Sequence, residues 1–303
     1  MRTHPPTLLT LAARTIKSDR LLSRGDRILV AVSGGPDSMA LLHVLAVLRK
    51  KVGHTLVAHG VDHGLRAEAG AELDLAEHLA RDLDVPFTRT RLSVRAGGNL
   101  QARAREARYA ALRDEAARTS SAVIATAHHA DDRAETVLMR LLRGAGPSGL
   151  AVLPPRAGDL VRPFLRARRS DIITHLSRHE IPHATDPSNR EPRFLRPRVR
   201  HELLPVLTAL SPSIVDHLCA LADQLGEQDD PLSGLPRNMR EALTKLARDR
   251  SPRTRVFLGQ GLVARYDRPQ LTLVVEHPLN PEPEASVEPY GKLGHDSKRP
   301  RQK

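Results

Sequence analysis

Residues 28–45 read ILVAVSGGPDSMALLHVL. Five apolar residues, Ile28 to Val32, lead into Ser33-Gly34-Gly35-Pro36-Asp37-Ser38, and an apolar, helix-forming run follows. The pattern is strand, glycine turn, helix. The glycine pair lets the chain turn tightly and aim several N–H groups at one point, and the helix behind it adds its positive end. Such a turn suits an anion, with Ser33 and Ser38 as further hydroxyl donors. Asp37 belongs in that cradle only when a cation lies between its carboxylate and the anion, as Mg²⁺ does on a nucleotide. No Gly-Lys-Ser/Thr follows, so this is not a Walker A loop, and it is not G-x-G-x-x-G either.

Outward from this stretch, strand-like and helix-like segments alternate. Residues 27–32, 55–61, 86–92 and 122–127 read as strands, and 37–50, 68–84, 99–119 and 131–144 as helices. This alternation predicts a parallel sheet covered by helices. After Gly149 the pattern changes. Pro154, Pro155 and Gly158 interrupt the chain, 160–165 reads as extended, and 169–180 as a helix with Ser170 or Asp171 near its start. Residues 193–209 are helical in pattern but carry Pro197 and Pro205; 211–228 and 236–249 read as helices, and 255–275 as two strands around a turn. The expected fold class is α/β, with a doubly wound, mostly parallel sheet followed by a smaller, mainly helical C-terminal domain. The expected boundaries are 1–210 for a nucleotide-binding catalytic domain, 211–276 for a small module, and 277–303 for a Pro-, Gly- and charge-rich disordered tail.

Composition narrows the function classes. Aromatic residues make up 2% and Trp is absent, so stacking bases on aromatic platforms is not expected as the main mode of binding. The net charge of +12 comes mostly from arginine, whose planar fork suits phosphate oxygens, and a polyanionic partner fits. The single cysteine, Cys219, rules out an internal disulfide and a C-x-x-C metal site. No apolar run reaches the ~18 residues of a membrane span. The first 22 residues, amphipathic and lacking a secretory apolar block, read as a helix of the domain, and the expected location is the cytoplasm.

The Ser-Gly-Gly-x-Asp-Ser loop after a first strand resembles the PP-loop of the N-type ATP pyrophosphatases, whose fold is adenine nucleotide alpha hydrolase-like. Further motifs line up behind it: VDHGLR (61–66), AREARY (104–109), AHHADDRAET (127–136), LLRGAGPSGL (141–150) and DPSNREPRFLRPRVRHELLP (186–205). In this order the set resembles the tRNA(Ile)-lysidine synthetase family over about residues 20–210. The resemblance implies a ligase with ATP and Mg²⁺ as cofactors. Its other substrates would be L-lysine and an isoleucine tRNA with a CAU anticodon, with no membrane and no obligate protein partner. The wobble cytidine would be adenylated at its C2 oxygen, and the lysine ε-amine would displace AMP to form lysidine.

On that resemblance Ser33, Gly34, Gly35, Pro36, Asp37, Ser38 and His63 bind ATP, and Asp37 holds the metal. Asp132 and Glu135, three apart on one helix face, receive the lysine. Arg105 and Arg108, likewise three apart, stabilise charge on the transferred nucleotide. Asp62 and Arg66 flank His63 at the end of the second strand. His128 and His129 are expected at a strand end, with ATP contact, a helix-capping role, or zinc with Asp131 as readings. Gly144, Gly146 and Gly149 read as a closing loop or a helix terminator. The arginines between Arg156 and Arg200, among them Arg162, Arg166, Arg168, Arg169, Arg190, Arg193, Arg196, Arg198 and Arg200, are the candidate phosphate-contacting face. Pro197 stands where the family usually has Asn. A PP-loop tRNA thiolase and a catalytically inactive RNA-binding relative are the alternatives.

Overall fold

The computed structural model describes residues 5–62, 69–92, 100–184, 195–228, 237–249, 255–259, 262–267 and 270–275. A capped N-terminal helix, α1 (Leu8–Ser18), precedes β1 (Arg27–Val32), α2 (Pro36–Val52) and β2 (Thr55–Asp62). Then come α3 (Ala69–Asp82), β3 (Phe87–Arg91), α4 (Leu100–Arg118), β4 (Val123–Ala125) and α5 (Ala130–Leu141). A short α6 (Pro147–Leu150) leads to β5 (Arg156–Ala157), β6 (Leu160–Val161) and α7 (Arg169–Arg178). The sheet order is β3-β2-β1-β4-β6-β5, and every pairing is parallel except that of β5 with β6. The chain therefore runs outward from β1 to β3 and then crosses back to β4 on the other side of β1. The carboxyl ends of β1 and β4 flank the crevice that opens at such a reversal.

β1 is buried on both faces, and its alternation decides which layer each residue joins. Ile28, Val30 and Val32 pack into the core beneath α1, α2 and α7, while Leu29 packs with Tyr109, Leu112 and Ala116 of α4. α2 is enclosed on nearly all sides, with Met39, Ala40, Leu41 and Leu42 fully buried, so its apolar residues are not confined to one stripe. A buried polar chain joins β2, β3 and α4. The Thr88 hydroxyl donates to Glu115 (2.7 Å) and therefore accepts from His59 Nδ1 (2.7 Å), which fixes the His59 tautomer.

After α7 the described chain resumes in α8 (Leu195–Arg198), passes through a π-helical turn (Val199–Leu203) into α9 (Leu204–Leu210), and continues to α10 (Ile214–Gln228). Pro205 has no N–H to continue an α-helical ladder, and the Leu204 N–H reaches Val199 O instead. Pro197 falls in the first turn of α8, where a missing N–H costs no helical bond. The first compact unit ends at Glu227, not at residue 210 as expected. The reason is that Val215, Leu218, Cys219 and Ala222 of α10 share a core with Ala134, Val137 and Leu138 of α5. Beneath that core Arg133 is 2% exposed; its Nε donates to Val152 O (2.9 Å) and its Nη1 to Asp223 (2.6 Å), while Arg166 binds the other Asp223 oxygen.

The second unit, from Gln228, contains α11 (Arg237–Asp249) and an antiparallel sheet of β7 (Arg255–Gly259), β8 (Leu262–Asp267) and β9 (Gln270–Val275). Three strands stand where two were expected, because the chain reverses a second time between 267 and 270. The expected disordered tail, 277–303, lies outside the described residues. Among the described residues no single helix is long and apolar enough to cross a membrane.

Arg133→Ala leaves the Val152 carbonyl and one Asp223 oxygen without their donor and opens a cavity beneath the core, while Arg166 still holds the other Asp223 oxygen. It is expected to lower stability by about 2–4 kcal/mol, measured as a shift of the urea unfolding midpoint. Arg133→Lys is expected to recover only part of the loss, since an ammonium cannot span both acceptors.

Candidate active site

The Ser33–Ser38 loop joins β1 to α2 at the crevice. Ser38 Oγ accepts from the Ser33 N–H (3.1 Å) and donates to Gly35 O (3.0 Å), so the loop is closed on itself. Gly34 has φ +76°, and a Cβ there would lie 2.1 Å from the Glu72 carbonyl of α3, while Gly34 O accepts from the Ala184 N–H (2.9 Å). Only glycine satisfies both conditions. Gly35 caps α2 without a side chain, and Pro36 occupies its first turn. The N-terminal N–H groups of α2 are thus left to face an anion.

Asp37, in that first turn, is 30% exposed, yet its Oδ1 is buried and makes no hydrogen bond. Its nearest cations are His129 Nε2 at 3.8 Å and Arg169 Nη1 at 3.7 Å, neither at bonding distance. Burial pushes its carboxyl above the ordinary range, against the pull of His129 and Arg169. An unpartnered carboxylate oxygen beside an uncapped helix start fits a metal–nucleotide, since a divalent cation would satisfy the oxygen and offset the burial.

The exit of β4 supplies the other wall. His129 is fully buried and caps α5, with a reciprocal bond between Asp132 and the His129 backbone. The helix-capping reading of His129 therefore holds. Burial alone would lower its pKa, but Asp131, Asp132 and Asp37 around it raise it above the ordinary value. His128 turns away, with Nδ1 3.1 Å from Thr126 Oγ1. Burial, helped by the positive charges of Arg162, Arg105 and Arg108, outweighs Asp132 and pushes it down to about 3, so it stays neutral. The two histidines and Asp131 do not form the zinc set that the sequence left open, because the rings serve different partners.

Arg105 and Arg108 lie on α4 against Tyr109, 5.0 and 5.3 Å from its ring centre. Neither has a carboxylate partner among the described residues. They are available cations on the His128 side of the crevice.

Asp132 and Glu135 share one face of α5, as their spacing predicted, but they are not open. Arg196 donates to Asp132 (2.9 Å) and Glu135 (2.9 Å), and Arg200 donates to Glu135 (2.5 and 3.0 Å) and Asp132 (3.3 Å). The two arginines are four apart, and the run from α8 into the π-helical turn presents both to α5. Glu135 is 1% exposed. Burial would raise Asp132, but His129 and Arg196 hold it below the usual carboxylate range. Asp131 in turn binds the Arg168 guanidinium (3.1 Å) and the Arg169 N–H (2.8 Å) at the start of α7. Burial opposes ionisation there, yet these bonds and His129 hold Asp131 well below the usual range.

Most of the described arginines of the expected phosphate-contacting face have partners within the fold. Arg162 is buried on Pro154 O, Arg166 pairs with Asp223, Arg168 with Asp131, Arg198 with Glu202, and Arg196 and Arg200 with the acidic pair, while the Arg169 guanidinium stands 3.7 Å from Asp37. Arg166, Arg169, Arg196 and Arg198 nevertheless keep 39%, 42%, 42% and 58% of their side-chain surface exposed. Gly144 adopts φ +76° at the end of α5, the terminator reading, and Gly146 caps α6. His63 and Arg66, with Arg190 and Arg193, lie outside the described residues.

A PP-loop domain family matches residues 9–207. The chain is 43% identical to a tRNA(Ile)-lysidine synthase of Symbiobacterium thermophilum over 72% of its own length and 47% of the relative's. It is 38% identical to one from Thermobifida fusca over 75% of this chain and 71% of the other. The chain thus spans about half the length of the first of these relatives. In fold it is similar to the U34-tRNA thiolase NcsA from Methanococcus maripaludis, with a TM-score of 0.62 at 17% identity, covering 75% of this chain and 84% of that one.

Two outcomes are expected. Gly34→Ala combines a left-handed φ, worth about 1 kcal/mol, with backbone overlap at Glu72, so thermal unfolding should fall by several degrees. Asp131 has its folded pKa held below the unfolded 3.8, so its stabilisation is present above about pH 4 and lost as pH falls through the folded value. Asp131→Asn should therefore be less stable than the parent at pH 7 and lose less stability between pH 5 and pH 2 in urea titrations.

Proposed function

This chain belongs to the tRNA(Ile)-lysidine synthase family of PP-loop proteins, and from that premise we propose that it ligates lysine to C2 of the wobble cytidine in an isoleucine tRNA with a CAU anticodon. The cytidine C2 oxygen attacks the α-phosphorus of ATP and pyrophosphate leaves. The neutral ε-amine of lysine then attacks C2, and AMP departs with the former C2 oxygen. The observation that carries the reading is the closed Ser33–Ser38 loop with unpartnered Asp37 Oδ1 at its helix start, facing the Asp132–Glu135 pair of α5 across His129.

In this reading the backbone of Ser33 to Ser38 and the start of α2 bind the phosphates, and Asp37 would hold Mg²⁺. Bound there, the metal neutralises phosphate charge. Arg105 and Arg108 stabilise the negative charge that builds on the nucleotide. The lysine ammonium enters against Asp132 and Glu135 in exchange for guanidinium contacts from Arg196 and Arg200, so these arginines occupy the acids before lysine arrives. A carboxylate or water at that point takes the proton that the amine sheds before attack.

The thiolase reading has the fold likeness in its favour. Iron–sulfur clusters are held by several cysteine thiolates, however, and the 303 residues contain one cysteine. Cys219 is buried against Ala130 O and its thiol is pushed up to about 11 by that burial. It is a core side chain and not a sulfur carrier.

The test supplies ATP, Mg²⁺, labelled lysine and the CAU tRNA. Label should enter the tRNA with release of AMP and pyrophosphate, and absence of label would overturn the proposal. Asp37→Ala should abolish both products. Glu135→Gln, which removes one charge from the lysine pair, should raise the lysine KM by about tenfold, the worth of a charge-assisted hydrogen bond. tRNA affinity should fall linearly with the logarithm of salt concentration, and a flat response would remove phosphate contacts from the account.

A further inference from the structure

Three histidines meet where α7 packs on α2, away from the residues assigned to ATP and lysine. His43 comes from α2, and His175 and His179 from the end of α7. His175 and His179 are four apart, and the His179 N–H still bonds to His175 O (3.1 Å), so the two rings stand one above the other on the same helix face. The ring centres form a nearly regular triangle: 5.0 Å from His43 to His175, 4.8 Å from His43 to His179, and 4.5 Å from His175 to His179. His43 Nδ1 and His175 Nε2 are 3.0 Å apart.

We propose that His43, His175 and His179 form a binding site for a first-row divalent transition metal of the zinc type. A metal about 2.0–2.1 Å from each ring nitrogen places neighbouring ring centres about 4.5–5.2 Å apart for angles between octahedral and tetrahedral, and nitrogen pairs about 2.9–3.3 Å apart. The three ring separations and the His43–His175 nitrogen distance all match these values. In the rotamers of this structure no three donors among the described residues converge on one point. A rotamer change is needed, and His179, exposed at the helix end, is the ring that can make it without disturbing the core, since His175 is buried and His43 half-buried. A metal in place of the shared proton keeps both nitrogens of the His43–His175 pair satisfied. Imidazole donors favour zinc, nickel, cobalt or copper over magnesium. Arg178, next to His179, opposes the added charge and keeps the site from being one of the tightest.

The site carries no lysine or nucleotide residue, so it stands apart from the proposed ligation. Its occupancy would fasten α7 to α2, the helices whose first turns supply Arg169 and Asp37 to the crevice.

The test titrates the full chain with Zn²⁺ by calorimetry and with Co²⁺ by its visible absorption, with Mg²⁺ as the control cation. One equivalent should bind with the Co²⁺ spectrum of nitrogen ligation, and Zn²⁺ but not Mg²⁺ should raise the thermal midpoint. His179→Ala, an exposed change that leaves the core intact, and His43→Ala should each weaken binding at least tenfold. His183→Ala, outside the trio, and Asp37→Ala, in the crevice, should bind Zn²⁺ like the parent. Undiminished affinity in both His179→Ala and His43→Ala, or no binding of stoichiometric Zn²⁺, would overturn the proposal.

Discussion

Everything in the crevice is tied to the first turn of α5. His129 caps that turn from a fully buried position, and Asp131 and Asp132 of that turn, with Glu135 one turn further on, reach three different elements. Asp131 takes the start of α7 through Arg168 and Arg169; Asp132 and Glu135 take Arg196 and Arg200 from α8 and the π-helical turn; and His129 faces Asp37 of α2. Acids at a helix N-terminus are favoured by the dipole, but here the larger effect is charge balance in a buried place. Carboxylates this deep persist as anions only because cations are brought to them.

That balance draws many of the described arginines into pairs with acids of the same unit. The net charge of +12 suggested a polyanionic partner, and the dense run after Arg156 seemed the natural contact face. All of the described arginines singled out in that run except Arg169 bond to a carboxylate or a carbonyl of the same unit. Arg105 and Arg108 differ, because they stack on an aromatic ring and no described acid claims them. A cation held by a ring can be redirected to a phosphate at smaller cost than one already paired with a buried acid.

The histidines divide by environment in the same way. His129, among three carboxylates, is drawn toward its charged form, whereas His128, one residue earlier, is pressed to neutrality by burial and nearby arginines. His43 and His175 are both lowered by burial, which leaves them as the neutral donors that metals bind. Adjacent or like residues in the sequence thus take opposite roles because the surrounding charges differ in sign.

What the residues determined by themselves was local or periodic. The apolar run of β1 followed by Ser-Gly-Gly-x-Asp-Ser specified strand, cradle and helix; the alternation down to α5 specified the parallel sheet; and the three-residue spacing placed Asp132 and Glu135 on one face. These follow from short-range geometry, in which each residue type answers to its neighbours in the chain. The tertiary structure alone decided which partner each charge received. Nothing local to Arg196 and Arg200 says that they will close on acids some sixty residues earlier, although their four-residue spacing marks them as a pair. Nor does anything local to α10 say that it joins the first unit, or that His43 will meet His175 and His179. Partner choice depends on where the sheet carries distant segments and on how much water remains between them, and both are properties of the folded whole.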